Sequence, residues 1–129
     1  MRKLIPLFAA LLLIAGCAAP AQESGYRQVT AEEAVALMEK ESGYIILDVR
    51  TAQEYSEKHI PKAVNIPNES IGTEDLPALP DKNQLILVYC RSGNRSKQAS
   101  EKLAALGYTN IVEFGGIKSW PGETVSGEG

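Results

Sequence analysis

Leu85-Ile86-Leu87-Val88-Tyr89-Cys90-Arg91-Ser92-Gly93-Asn94-Arg95-Ser96 is the stretch on which the fold turns. Five apolar, β-prone residues run unbroken, as they do in a strand buried on both faces. A thiol then opens a short polar loop. From Ser96 onward Ala99, Leu103 and Leu106 recur at helical spacing, which predicts a helix over 96–106 with Gly107 as its C-cap. A strand, a tight loop and a helix start aim several backbone N–H groups at one point, where the helix dipole adds positive character. The result is an anion cradle with Cys90 at its base.

The residue types in the loop suit that geometry. The amides and nearby guanidinium groups favour the Cys90 thiolate, so its pKa is expected to fall below the free value of about 8.5. Gly93 permits a positive φ or a close backbone approach. Arg91 and Arg95 can grip an anionic oxyacid through paired hydrogen bonds, with Ser92, Asn94 and Ser96 lining the cradle beside them. A lone cysteine is usually a buried structural thiol. The conjunction of thiol, two arginines, glycine and hydroxyls at a strand-to-helix junction is what marks Cys90 as a nucleophile.

Outward from this stretch, strand and helix signals alternate. Thr30-Ala31-Glu32-Glu33 is a capping box that predicts a helix over 31–40. Tyr44-Ile45-Ile46-Leu47 is a short apolar strand ending at Asp48-Val49-Arg50. Ala63-Val64-Asn65-Ile66 and Asn110-Ile111-Val112-Glu113-Phe114 are shorter candidates, stopped by Pro67 and by Gly115-Gly116. This order implies an α/β fold, a mostly parallel sheet with helices on both faces. Ligands of such sheets sit at the carboxyl ends of the strands, here just after Leu47, Ile66, Val88 and Phe114.

The N-terminus reads as an address. Residues 1 to 17, MRKLIPLFAALLLIAGC, join a basic start to an apolar run too short for a bilayer, which needs roughly 20 residues. Ile14-Ala15-Gly16-Cys17 resembles a lipobox. The expectation is a signal peptide over 1–16, a lipid on Cys17, a flexible tether over 17–28 and one domain over 29–129. That places the protein outside the cytoplasm, anchored to the cell membrane or outer membrane.

Composition narrows the remaining classes. The 129 residues hold 13 basic and 16 acidic side chains, and without Arg2 and Lys3 eleven basic ones remain, a charge of about −5 that argues against nucleic acid as a partner. Two cysteines and one histidine, His59, cannot furnish a four-ligand Cys/His zinc site from one chain. No metal and no cofactor are called for.

Across nearly the whole domain the sequence resembles the rhodanese family. The resemblance is carried by Asp48-Val49-Arg50 with Glu54-Tyr55, by His59-Ile60-Pro61 with Ala63 and Asn65-Ile66-Pro67, by the loop from Cys90 to Ser96, and by Gly115-Gly116 with Trp120. Lys62 departs from it, standing where the family usually has glycine. The resemblance implies a five-stranded parallel sheet and a Cys90 persulfide that takes sulfur from a small anionic donor such as thiosulfate and passes it to a thiol or cyanide. It also implies a reading of loop length: six residues from Cys90 to Arg95 are similar to the sulfurtransferase loop, whereas related dual-specificity phosphatases have one more. The alternatives are a sulfur-carrier or partner-docking module with little turnover, and a phosphatase or arsenate-reductase-like enzyme. Among supporting residues, Asp48 is expected to fix loop geometry and Arg50 to form an ion pair at the site rim. His59 is expected to pack or hydrogen-bond rather than act as a base, and Trp120 to pack beside the loop.

Overall fold

A computed structural model describes residues 25–127. The expected signal peptide and Cys17 lie outside the described residues. Five strands form one parallel sheet: β1 (Arg27–Gln28), β2 (Ile45–Asp48), β3 (Val64–Asn65), β4 (Ile86–Cys90) and β5 (Ile111–Gly116), in the spatial order β1-β5-β4-β2-β3. Three α-helices accompany them, α1 (Ala31–Lys40), α2 (Ala52–Glu57) and α3 (Asn94–Ala105). The α/β architecture inferred from the sequence is the one observed.

The two faces of the sheet carry separate apolar clusters, and strand alternation decides which residue goes to which. Ile86, Val88 and Cys90 point with Leu47 and Val49 toward Ala99 and Leu103 of α3. Leu87 and Tyr89 point the other way, with Ile46, Val112 and Phe114, toward Ala34 of α1. Cys90 therefore ends the middle strand on the α3 face, so that the strand delivers it directly to the N-terminus of that helix.

Helix starts follow local chemistry. Thr30 Oγ accepts from the Glu33 amide at 3.0 Å while Glu33 accepts from the Thr30 amide at 2.8 Å. The same reciprocal pair recurs at Thr51 and Glu54 and starts α2, a six-residue helix. Its Thr-x-x-Glu spacing carried the signal, but the helix is too short for apolar periodicity to declare it.

Three expectations are corrected. The tether does not run to Gln28: Tyr26 is buried, and Arg27 and Gln28 pair with Val112 and Glu113 as the edge strand β1. Two paired residues are too few to show a strand pattern, so only the sheet edge offered by β5 reveals them. Gly115 and Gly116 do not stop the last strand but belong to it, with Gly116 opposite Cys90 across a register shift. A Cβ on Gly116 would stand 1.9 Å from the Arg91 carbonyl oxygen, so this glycine is required by close approach of the cysteine loop. Arg50 makes the expected ion pair, with Asp48, but as a buried group only 4% exposed rather than an open one.

Lys62, after Pro61, takes a left-handed backbone conformation that favours glycine. Its φ is +74°, and it is the one non-glycine residue with positive φ among the described residues. The turn after Pro61 therefore carries a steric cost of about 1 to 2 kcal/mol.

Candidate active site

The loop that links β4 to α3 closes over its own cysteine. Gly93 adopts φ +115° at the N-cap of α3, a conformation that a side chain would strain, and its amide donates to Cys90 Sγ at 3.0 Å. Ser96 Oγ lies 3.4 Å from the same sulfur. Cys90 is almost wholly buried and is the free cysteine of the described residues. Burial pushes its thiol up; hydrogen bonds from the Ser96 hydroxyl and from the amides of Ser96, Gly93 and Ser92 pull it down, and the balance falls below the ordinary thiol value. The direction matches the expectation, but the groups that lower it are the Ser96 hydroxyl and the loop amides rather than the guanidinium groups.

The other loop residues divide by exposure. Arg91, Ser92 and Asn94 are exposed, whereas Ser96 is fully buried. Arg95 is committed to Glu54: its two terminal nitrogens donate to the two carboxylate oxygens at 2.7 and 3.1 Å. That fork holds the Glu54 carboxyl well below the usual carboxylate range, at about 2, against opposing burial and with help from Thr51. A recess of about 250 Å³ beside the loop is lined by Arg50, Glu54, Lys58, Arg91, Ile117 and Lys118. A larger one of about 550 Å³ opens between α2 and β3 at Lys62 and Asn65, and contains neither the thiol nor its loop. Chemistry, not volume, places the site at Cys90.

Asp48 and Arg50 anchor the neighbouring strand end. The Arg50 guanidinium donates to both Asp48 oxygens, at 2.6 Å in the shortest contact, and to the Lys58 carbonyl at 2.6 Å. Tyr89 donates its hydroxyl to Asp48 at 2.6 Å and accepts from the Ile60 amide. Burial first, and then that bond and the charge of Asp48, push the Tyr89 phenol far above its usual range. Asp48 thus stands at the centre of a buried network of Arg50 and Tyr89.

His59 is fully buried, stacked on Tyr55 with ring centroids 3.7 Å apart, and its Nδ1 meets the Tyr55 carbonyl at 2.7 Å. That contact places the ring proton on Nδ1. Its backbone bridges to Val125, and the packing role holds. Trp120 does not pack beside Cys90: its ring rests on Phe114, in the cluster on the opposite face, and its indole donates to the Glu123 carbonyl. Among the described residues no group of three or more His, Cys, Asp or Glu side chains is arranged to hold a metal ion.

A rhodanese-like domain model matches residues 30–123, which include every element from α1 to the second glycine of β5 and the segment beyond it. The chain belongs to the rhodanese-like domain family. This rhodanese-like chain is 40% identical over 72 residues to the thiosulfate sulfurtransferase PspE of Escherichia coli K12, spanning 56% of this chain and 69% of that protein. It is 35% identical over 107 residues to the thiosulfate sulfurtransferase GlpE of Pseudomonas savastanoi pv. phaseolicola, spanning 79% and 97%. Among solved structures, an E. coli rhodanese with anions superposes with a TM-score of 0.60 at 37% identity, over 65% of this chain and 99% of that one.

One residue of the rhodanese-like site escaped the sequence reading. Glu113, in the middle of β5, is 2% exposed and receives a short hydrogen bond from Ser96, the residue that touches Cys90. Its signal was present: a single carboxylate inside an apolar run that the parallel sheet buries on both faces.

Proposed function

We propose that this protein is a sulfurtransferase in which Cys90 carries the sulfur as a persulfide. The observation that carries the reading is the amide-lined thiol at the mouth of α3, held below its ordinary pKa in a chain of this family. The Cys90 thiolate attacks the outer sulfur of a small anionic donor such as thiosulfate, the S–S bond of the donor breaks, and sulfite departs with the bonding pair. A thiolate or cyanide then takes the outer sulfur from Cys90, and the thiolate is restored. The amides of the loop stabilise the anionic donor and the persulfide. Arg91, exposed above the loop, is the guanidinium free to meet the donor, whereas Arg95 must share its fork with Glu54.

Treating the protein with thiosulfate should add about 32 Da, one sulfur atom, to the peptide containing Cys90, and cyanide should remove it as thiocyanate. Cys90→Ser should abolish both. Turnover of thiosulfate by the Ser variant ends the mechanism; a parent that takes up no sulfur yet hydrolyses a phosphoaryl ester replaces it with a phosphatase.

The lipid anchor belongs to the same proposal and rests on residues 1–17 alone. It puts the domain outside the cytoplasm on a tether that ends before Tyr26. Cys17→Ser should abolish incorporation of labelled fatty acid; equal labelling of variant and parent removes the anchor.

A further inference from the structure

The recess of about 250 Å³ beside the cysteine loop is left unused by the transfer of sulfur onto Cys90. Its walls carry more unpaired cation than carboxylate. Arg50 is forked on Asp48 and Glu54 on Arg95, which leaves Lys58, Arg91 and Lys118 with Glu57. Among the described residues none of these three cations is in an ion pair, and Glu57 accepts from Gln53 Nε2 at 3.3 Å. The chain as a whole is acidic, with a formal charge of -3, so cations gather beside the nucleophile against the trend of the composition.

Both lysines are placed by residues of the site, through their backbones. The Lys118 amide donates to the Arg91 carbonyl at 3.2 Å, and the Lys58 carbonyl accepts from the Arg50 guanidinium at 2.6 Å. Buried Ile117 adds an apolar surface to the same recess. Exposed cations around an apolar surface suit a molecule with a carbon stem and a negative end.

The two half-reactions make different demands. Thiosulfate is small enough to meet the loop amides and Arg91 together. Once sulfite has left, the transferred sulfur occupies the amide cradle, so the acceptor must be oriented by groups outside it. Arg91 is then vacant again, and Lys118 is tied to it.

We propose that Lys118, with Lys58 and Arg91, determines acceptor specificity: the recess takes the negative end of a small thiol that carries carboxylates a few carbons from its sulfur. This inference rests on the sulfurtransferase reading. The acceptor thiolate attacks the outer sulfur of the Cys90 persulfide. A new S–S bond forms as the bond to Cys90 Sγ breaks, and the electron pair of that bond stays on Cys90 as the thiolate. The acceptor departs as a persulfide and keeps the proton that the outer sulfur carried. The lysines hold only the carboxylates, and that remote contact orients the attacking sulfur.

The test loads Cys90 of the full chain with sulfur from thiosulfate, removes the excess, and follows loss of the added mass. The acceptors are mercaptosuccinate, a thiol with two carboxylates, and neutral 2-mercaptoethanol. Lys118→Gln should lower the rate constant with mercaptosuccinate about three- to tenfold, and that with 2-mercaptoethanol by less than about twofold. Lys118→Arg keeps the charge and should retain most of the parent's ratio between the two thiols. Lys58→Gln should shift the ratio in the same direction as Lys118→Gln. Lys40→Gln changes the net charge equally, but at the end of α1 that leads to the amino end of β2, and should leave the ratio unchanged. A ratio unmoved by Lys118→Gln, or lowered as much by Lys40→Gln, overturns the proposal. Loss confined to the loading step assigns the recess to the donor and overturns it as well.

The unloaded thiol separates this proposal from the reading beneath it. Iodoacetate and iodoacetamide alkylate Cys90 with the same leaving group and differ in one carboxylate. Lys118→Gln should lower the iodoacetate-to-iodoacetamide rate ratio about threefold. A parent that takes up no sulfur while the variant shows this fall defeats the sulfur chemistry and upholds the anion subsite. Sulfur uptake with both ratios unmoved defeats the subsite alone.

Discussion

Asp48 and Glu113 lie in the same sheet, each within reach of the strand ends that form the site, and both are almost fully buried. Asp48 is compensated by a guanidinium on its own strand end and by the Tyr89 hydroxyl. Glu113 is compensated by an amide, a carboxamide and one serine. A buried charge with a fixed opposite charge is a structural strut, because moving the proton would strand its partner. A buried carboxyl with only neutral donors strands no opposite charge when it is replaced by an amide. The two acids differ in their partners, although their burial is alike.

Chemical denaturation breaks or sharpens this contrast. The largest expected effect belongs to Asp48→Asn, which leaves Arg50 buried and unpaired and should cost about 3 to 5 kcal/mol, against less than about 1 kcal/mol for Glu113→Gln. Equal losses in the two variants would erase the distinction. Next is Tyr89→Phe, which deletes one donor to Asp48 and leaves the Ile60 amide without its acceptor, for a loss of about 1 to 3 kcal/mol. A neutral outcome would show that Arg50 alone holds Asp48.

The smallest effect tests a third carboxylate, Glu54, whose cation is at the loop and partly solvated. Its folded pKa of about 2 lies below its ordinary 4.5, so its contribution to stability is fully present above about pH 4.5 and lost as pH falls through about 2. Glu54→Gln retains an acceptor for the α2 cap but removes the charge. It should cost about 1 kcal/mol or less at pH 7 and nothing below pH 2, with the urea midpoint measured at both. A variant that is equally impaired at both pH values would mean that the cap, not the ion pair, was lost.

These acids also mark the reach of the sequence. The nucleophile and its cradle were legible because strand, glycine, thiol and helix start are consecutive, and local order fixes their geometry. The helix over 31–40 was legible because its capping box and apolar spacing act within a few residues. Asp48 and Arg50 were visible as a pair, since two residues along a strand end place both on one side. Glu54 and Arg95 were each visible, but 41 positions separate them, and nothing local says that one holds the other.

The sequence by itself determined the alternation of strands and helices, and with it a mostly parallel sheet, the place of Cys90 at the end of a strand and the amides that close on the sulfur, all products of short-range periodicity and hydrogen bonding. Only the tertiary structure decided that Arg27 and Gln28 join the sheet, that Gly116 must admit the Arg91 carbonyl, that Arg95 is spent on Glu54 and that Glu113 stands behind Ser96. Each of these depends on which strands become neighbours, and a parallel sheet brings residues together across crossovers that no local pattern records.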